Sequence, residues 1–242
     1  MGYTAHTGVR EMRELPESET YEEGLLFWPY KYSLETVLNR ISALAPIGGT
    51  LLDIMCGPGY LLGLISKRRM DLRLTGVDID ERYVGHGKAV YPEEIDFQLG
   101  DVLDWKASEQ FDVVVCTGAL HHVPYDQQEA AIANIASLVK QGGVVVLSDC
   151  YVDDYTNETE RKLAAAKLGY EYLINTITNG APDRVIAWTI GILENDVMME
   201  EFKPSLPKRL ALLERHFASV TTTQPWPDSD SGYGDYIHIC RR

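Results

Sequence analysis

Thr50-Leu-Leu-Asp53-Ile-Met55-Cys56-Gly57-Pro58-Gly59-Tyr60-Leu-Leu62 is the stretch on which the fold turns. An apolar run ends at an acid, a Gly-Pro-Gly turn follows and a helical pattern begins. It reads as the first strand, ligand loop and helix of an α/β nucleotide-binding sheet. Gly57 and Gly59 lack a Cβ, so the backbone there can take positive φ and a ligand can approach it closely. The first turn of the following helix offers unpaired N–H groups to a small anionic group. Two further acids close later strand-like runs, Asp78 in Gly76-Val-Asp-Ile-Asp80 and Asp101 in Phe97-Gln-Leu-Gly-Asp101, at intervals of 25 and 23 residues. Each interval fits one strand–helix unit.

The chain of 242 residues is 45% hydrophobic and 24% charged, ordinary for a soluble globular protein with one sizeable core. With 22 basic against 36 acidic residues the formal charge is −14, which disfavours nucleic acid, whose binding draws on clustered Lys and Arg. Cys56, Cys116, Cys150 and Cys240 form no C-x-x-C, so neither a zinc site nor a disulfide framework is expected. The first residues lack a signal-peptide core, and no run approaches the roughly 18 apolar residues of a membrane span. A cytoplasmic protein without a membrane partner is the expectation. Oligomeric state stays open, a homodimer included.

The expected organisation is a single domain with four parts: an N-terminal arm (1–29), a core (30–150), an inserted helical lid (151–203) and a final helix and strands (204–242). The arm turns aromatic at Tyr21, Phe27, Trp28 and Tyr30. From Ser33, apolar residues at helical spacing predict a helix ended by Pro46 and Gly48-Gly49. Helices are also expected over Tyr60 to Arg69 and Glu81 to Val90, with strands ending at Asp78 and covering Ile95, Phe97 and Leu99. Phe111-Asp-Val-Val-Val-Cys116 is a nearly continuous apolar run, as in a parallel strand covered on both faces. It leads to Thr117-Gly-Ala-Leu120-His121-His122-Val-Pro124. Asp126 with Glu129 looks like a capping pair, Gly142-Gly143 looks like the close of that helix, and Val144 to Ser148 reads as a fifth strand ending at Asp149. Leu163, Ala166, Tyr170, Leu173, Ile174 and Ile177 form one helical stripe, Val185, Trp188, Ile192 and Leu193 a second, and both are expected to be core. Leu206, Leu210, Leu213 and Phe217 predict a last helix, followed by strands over Ala218 to Thr223 and Tyr236 to Cys240.

In this order of parts the chain resembles the class I S-adenosylmethionine-dependent methyltransferases, in particular those acting on small molecules. The resemblance spans about residues 30 to 150. It implies an α/β, doubly wound, mostly parallel seven-stranded sheet with a C-terminal antiparallel hairpin, and S-adenosyl-L-methionine as cofactor. Asp53, Gly57 and Gly59 would hold its methionine end, Asp78 its ribose hydroxyls, and Asp101 would lie beside adenine. Met55, Cys56, Tyr60, Ile79, Val102, Thr117 and Leu120 complete the implied cofactor site. Met55 stands where the family usually has a glycine. His121 and His122 are the candidate catalytic residues. Adjacent side chains cannot share one face of a strand or helix, so at most one is expected to point at the ligand, as a base toward the acceptor or as packing. Tyr21, Trp28, Tyr30 and Tyr151 are candidates for the acceptor pocket and its lid. No metal is implied.

Two other readings stay open at this stage. A protein of this fold can bind the same cofactor without transferring methyl, as a cyclase or a regulatory module. An NAD-dependent oxidoreductase would also place a ribose-binding acid near Asp78, but its G-x-G-x-x-G fingerprint needs a glycine where Leu62 stands. The chain has no Asn-Pro-Pro-Tyr stretch, which disfavours base-modifying relatives.

Overall fold

The computed structural model describes residues 18–91, 95–198 and 201–242. Of the expected arm, residues 1–17 lie outside them, and the rest begins as helix α1 (Ser18–Gly24). Helix α2 (Tyr30–Leu44) starts at Tyr30 rather than Ser33 and buries Leu34, Val37, Leu38 and Ile41. β1 (Thr50–Ile54), α3 (Tyr60–Arg68), β2 (Arg73–Asp78), α4 (Glu81–Val90), β3 (Ile95–Leu99) and β4 (Phe111–Thr117) follow in the anticipated order. A 3₁₀ turn (Leu120–His122) then leads to α5 (Gln128–Leu138), β5 (Val139–Tyr151), α6 (Glu158–Thr178), α7 (Asp183–Met198), α8 (Leu206–His216), β6 (Ser219–Trp226) and β7 (Gly234–Arg241).

The seven strands form one sheet in the order β3-β2-β1-β4-β5-β7-β6. β3 through β5 are parallel neighbours, and β7 runs antiparallel to both β5 and β6. This is the doubly wound sheet with a final hairpin that the sequence implied. Strands β1 and β4 are buried on both faces because successive side chains point to opposite sides. Leu51, Val113 and Val115 pack with α2 and α3, whereas Leu52, Val114 and Cys116 pack with α5 and Leu213 of α8. Each fully buried Leu or Val of this kind stabilises by roughly 1.5–3 kcal/mol. Phe97 of β3 sits in a hollow that lacks three Cβ atoms, since side chains at Gly59, Gly76 or Gly87 would collide with its ring. That is why α4 tolerates Gly87.

Three local expectations fail. Helix α5 is capped at Gln127 with no side-chain bond, not by Asp126. Glu129 pairs instead with Arg215 of α8 at 3.0 Å. Gly142-Gly143 does not close α5, because Val139 already pairs with Phe111 of β4 and opens β5. The glycines lie within that strand, with Gly142 at φ 77°.

The third failure concerns the lid helix α6. Its apolar stripe faces outward: Leu163 is 66% exposed, Tyr170 58% and Ile177 50%. The inward face is built from Ala164, Ala165, Leu168 and Gly169. A Cβ on Gly169 would come within 2.8 Å of Leu193 Cγ. Close packing of α6 on α7 needs small residues at the seam, and that requirement overrides the pull of the larger apolar side chains.

Candidate active site

The strand order reverses between β1 and β4, and a cavity of about 1230 Å³ opens there at the carboxyl edge of the sheet. It exceeds the roughly 300–1,000 Å³ of a site for one small ligand, so two can lie side by side.

On one side is the loop after β1. Met55 is left-handed at φ 62°, and Gly57 and Gly59 take φ 55° and 93°. A left-handed conformation costs an ordinary residue about 1–2 kcal/mol. Met55 therefore takes the conformation that a glycine would take freely. Met55, Cys56, Gly57 and Tyr60 line the cavity, but Gly59 does not. The space a Cβ would need at Gly59 is filled by Phe97, with its Cε1 only 2.7 Å from that position. The missing Cβ of Gly59 thus serves helix–strand packing.

The acids at the strand ends differ in how fully they are used. Asp78 accepts the backbone N–H of Gly57 at 2.8 Å and of Asp80 at 2.9 Å. The Gly57 N–H of the loop thus braces Asp78, whose oxygens each keep a lone pair for further donors. Burial raises the Asp78 pKa. Asp101 accepts the N–H of Leu103 at 2.9 Å and lines the cavity with Ile79, Val102 and Thr117. Asp53 is the exception: its Oδ1 is buried with no hydrogen-bond partner among the described residues. Burial, then the nearby Asp78 charge, holds its pKa well above the carboxylate range. A buried carboxylate oxygen without a donor calls for a cationic ligand group, and the α-ammonium of an amino acid suits it. These residues fit S-adenosylmethionine.

Tyr21, Trp28 and Tyr30 also line the cavity. Trp28 donates its ring N–H to Thr189 of α7 at 2.9 Å and packs against Trp188, ring centroids 4.7 Å apart. Tyr30 donates to Thr117 Oγ1 at 2.7 Å. The arm both buries its aromatics and borders the ligand space. Leu120 and Tyr151 do not reach it. Leu120 is 1% exposed in the core beneath α5, and Tyr151 is fully buried with its hydroxyl 2.9 Å from His238 Nε2.

Both His121 and His122 line the cavity, against the expectation that at most one would. They sit in a 3₁₀ turn, where successive side chains are about 120° apart, so Leu120 turns inward while both rings meet the open space. The rings lie 4.1 Å apart. His121 Nδ1 is 2.5 Å from Asp149 Oδ1, and Nε2 is 3.5 Å from Glu201 Oε2. Burial alone would strip its charge, yet Asp149 and then Cys150 push its pKa well above the ordinary value. His122 is pulled down to about 4, first by the protein around the cavity it faces and then by His121. The two adjacent rings are thus driven in opposite directions, His121 toward the protonated form and His122 toward the neutral one.

The remaining groups come from distant segments. Lys203 donates to both Asp196 of α7 and Glu201. Asp235 of β7 accepts from Ser33 Oγ at 3.0 Å and Tyr172 at 2.5 Å, and burial raises its pKa to about 7. Sequence reading named none of these for the site. Asp149 carried a usable signal, an acid ending a parallel strand as at β1 and β2; Glu201, Lys203 and Asp235 carried none. Among the described residues two groups come within metal-ligating range, His121 with Asp149 and Cys150, and His121 with His122 and Glu201. Lys203 already supplies the cation that Glu201 faces.

Residues 51–143 match a family model described as a methyltransferase domain. A ubiquinone biosynthesis O-methyltransferase of Xanthomonas axonopodis is 30% identical over 183 residues, covering 69% of this chain and 72% of that protein. Its counterpart from Stutzerimonas stutzeri is 29% identical over 172 residues, covering 65% and 70%. The crystal structure of magnesium protoporphyrin IX methyltransferase from Synechocystis covers 96% of this chain and 88% of its own at a TM-score of 0.57 and 16% identity. That last likeness is one of fold. The chain belongs to the class I S-adenosylmethionine-dependent methyltransferases. S-adenosylmethionine is its cofactor and methyl transfer its reaction.

Proposed function

We propose that the protein methylates a hydroxyl of a small-molecule acceptor, with His121 as the general base. The observation that carries this reading is the buried His121–Asp149 pair at the cavity wall. Two relatives named as O-methyltransferases support an oxygen acceptor. Bound S-adenosylmethionine supplies a methyl group already activated on a sulfonium, so the chain contributes alignment, exclusion of water and removal of one proton. Asp53, Asp78 and Asp101, with the loop from Met55 to Gly57, hold the cofactor; helices α6 and α7 form the lid over the acceptor, and Tyr21, Trp28 and Tyr30 close the near side. With its Nδ1–H donated to Asp149, His121 must first lose the proton on Nε2, which faces Glu201 at 3.5 Å, and the lone pair left there takes the acceptor proton. The acceptor hydroxyl takes the place of Glu201, whose carboxylate stands 3.5 Å from that nitrogen. The four free cysteines suit a reducing cytoplasm, and sedimentation tests for a homodimer.

The test uses methyl-labelled cofactor with a panel of hydroxylated small molecules. A labelled ether separates transfer from mere cofactor binding. In His121→Ala turnover should fall by roughly 10²- to 10⁴-fold with cofactor affinity retained. Wild-type kcat/KM should climb with pH through a value above the ordinary histidine pKa, since a protonated His121 cannot accept. Unchanged turnover in His121→Ala would remove the base role.

A further inference from the structure

Behind the His121–Asp149 pair lies a cation that the reaction does not call for. Arg209, on the inner face of α8, is fully buried beside the Tyr151 hydroxyl, and its Nε, Nη1 and Nη2 make no hydrogen bond of ordinary geometry among the described residues. Asp149 Oδ2 is likewise buried without one. These orphaned groups face each other: the guanidinium nitrogen Nη2 stands 3.6 Å from Oδ2, both side chains at 0% exposure. Taking a guanidinium out of water is expensive, and replacing a buried ion pair by apolar residues often stabilises a protein. The arginine is therefore a poor choice for packing alone.

We propose that Arg209 is a positioning residue of the active site, holding Asp149 from behind by Oδ2 so that Oδ1 stays on His121 Nδ1, and sharing the carboxylate's charge with the imidazole. The other polar groups beside Arg209 do not offer it an anion. Tyr151 is bonded to His238 Nε2, and His238 Nδ1 lies 2.9 Å from Thr222 Oγ1. Burial, and then the charge of Arg209, holds His238 down at about 3, so it stays neutral. Asp149 is the carboxylate paired with Arg209 among the described residues. A carboxylate that serves two cations pulls less on either, and this keeps the His121 proton releasable. The catalytic consequence rests on His121 being the base, whereas the pairing does not.

The charged and titratable groups around His121 are Asp149 and Cys150 from β5, Glu201 and Lys203 from the segment leading to α8, Asp196 from α7, Asp235 from β7 and His122 beside it. An Arg209 variant leaves all of them in the chain, so a change in His121 reports the lost guanidinium.

The experiment follows His121 by NMR in the full chain labelled with ¹⁵N-histidine. In Arg209→Met, loss of a nearby positive charge should move the His121 titration to higher pH by about one unit. The rising limb of kcat/KM should move with it, while cofactor affinity stays unchanged. Arg209→Lys, which keeps the charge, should fall between the two. A folded Arg209→Met protein whose His121 titrates as in the wild type overturns the proposal and leaves Arg209 a structural residue. Should Arg209→Met fail to fold, the wild-type chain labelled with ¹⁵N-arginine decides: the Arg209 Nε–H resonance should titrate in step with His121, and a flat response overturns the proposal. If His121 shifts but the kcat/KM limb does not, the coupling is supported and the base assignment falls instead.

Discussion

Asp53→Asn separates stability from cofactor binding, because the two depend on the same carboxylate with opposite signs. In the free protein Asp53 is 2% exposed, its Oδ1 has no donor, and burial with Asp78 raises its pKa well above the ordinary value. A raised carboxyl pKa means that the folded state holds its proton more tightly than the unfolded chain does. Below the unfolded pKa, about 3.9, both states are protonated and there is no penalty. As pH rises through the folded pKa the ionised form destabilises the fold, and the penalty is complete above it. Replacing a buried, unsatisfied carboxyl whose ionisation the fold opposes should recover at least roughly 1–3 kcal/mol at neutral pH, where the unfolded carboxyl is ionised. In a chain of this length that raises the Tm by about 2–12 °C, at 2–4 °C per kcal/mol. The gain should vanish near pH 4. The same substitution removes the charge that would meet the cofactor's ammonium, a charge-assisted bond of about 1.5–3 kcal/mol, or roughly 10- to 150-fold in Kd. Thermal denaturation across pH 4–8 and calorimetric titration with S-adenosylhomocysteine, which keeps the ammonium, measure both. A variant no more stable than wild type at neutral pH, or one that binds the cofactor product equally well, would refute the reasoning.

Two further substitutions test the corrected placements. Gly59→Ala should destabilise by more than Gly57→Ala, as chemical denaturation would measure: both impose a positive φ on a side chain at about 1–2 kcal/mol, but only at Gly59 does the new Cβ also collide with Phe97. Equal losses would mean that Phe97 moves aside freely. Tyr151→Phe should lower stability by about 1–2 kcal/mol through its lost bond to His238 and leave turnover on any acceptor unchanged; a large fall in kcat would return Tyr151 to the pocket.

What the sequence determined by itself was the framework. Strand runs that are apolar throughout, the Gly-Pro-Gly turn at Gly57 to Gly59 and the acids Asp53, Asp78 and Asp101 at regular intervals are local features, and local features fix the succession of strands and helices along the chain, from which the family resemblance supplied the sheet. The last hairpin was legible for the same reason. Tertiary structure alone decided the catalytic surroundings. His121 follows β4, Asp149 ends β5, Glu201 lies beyond α7 and Arg209 sits on α8, and nothing in the spacing of four such residues foretells that they meet. Tertiary structure also decided which way α6 faces. A repeat of apolar residues shows which side chains share a face of a helix, but the face that turns inward is chosen by what packs against it. Here Gly169 lets α6 close on Leu193 of α7, and Ala164 and Ala165 pack inward with Val152 and Trp226, while Leu163 and Tyr170 stay outside.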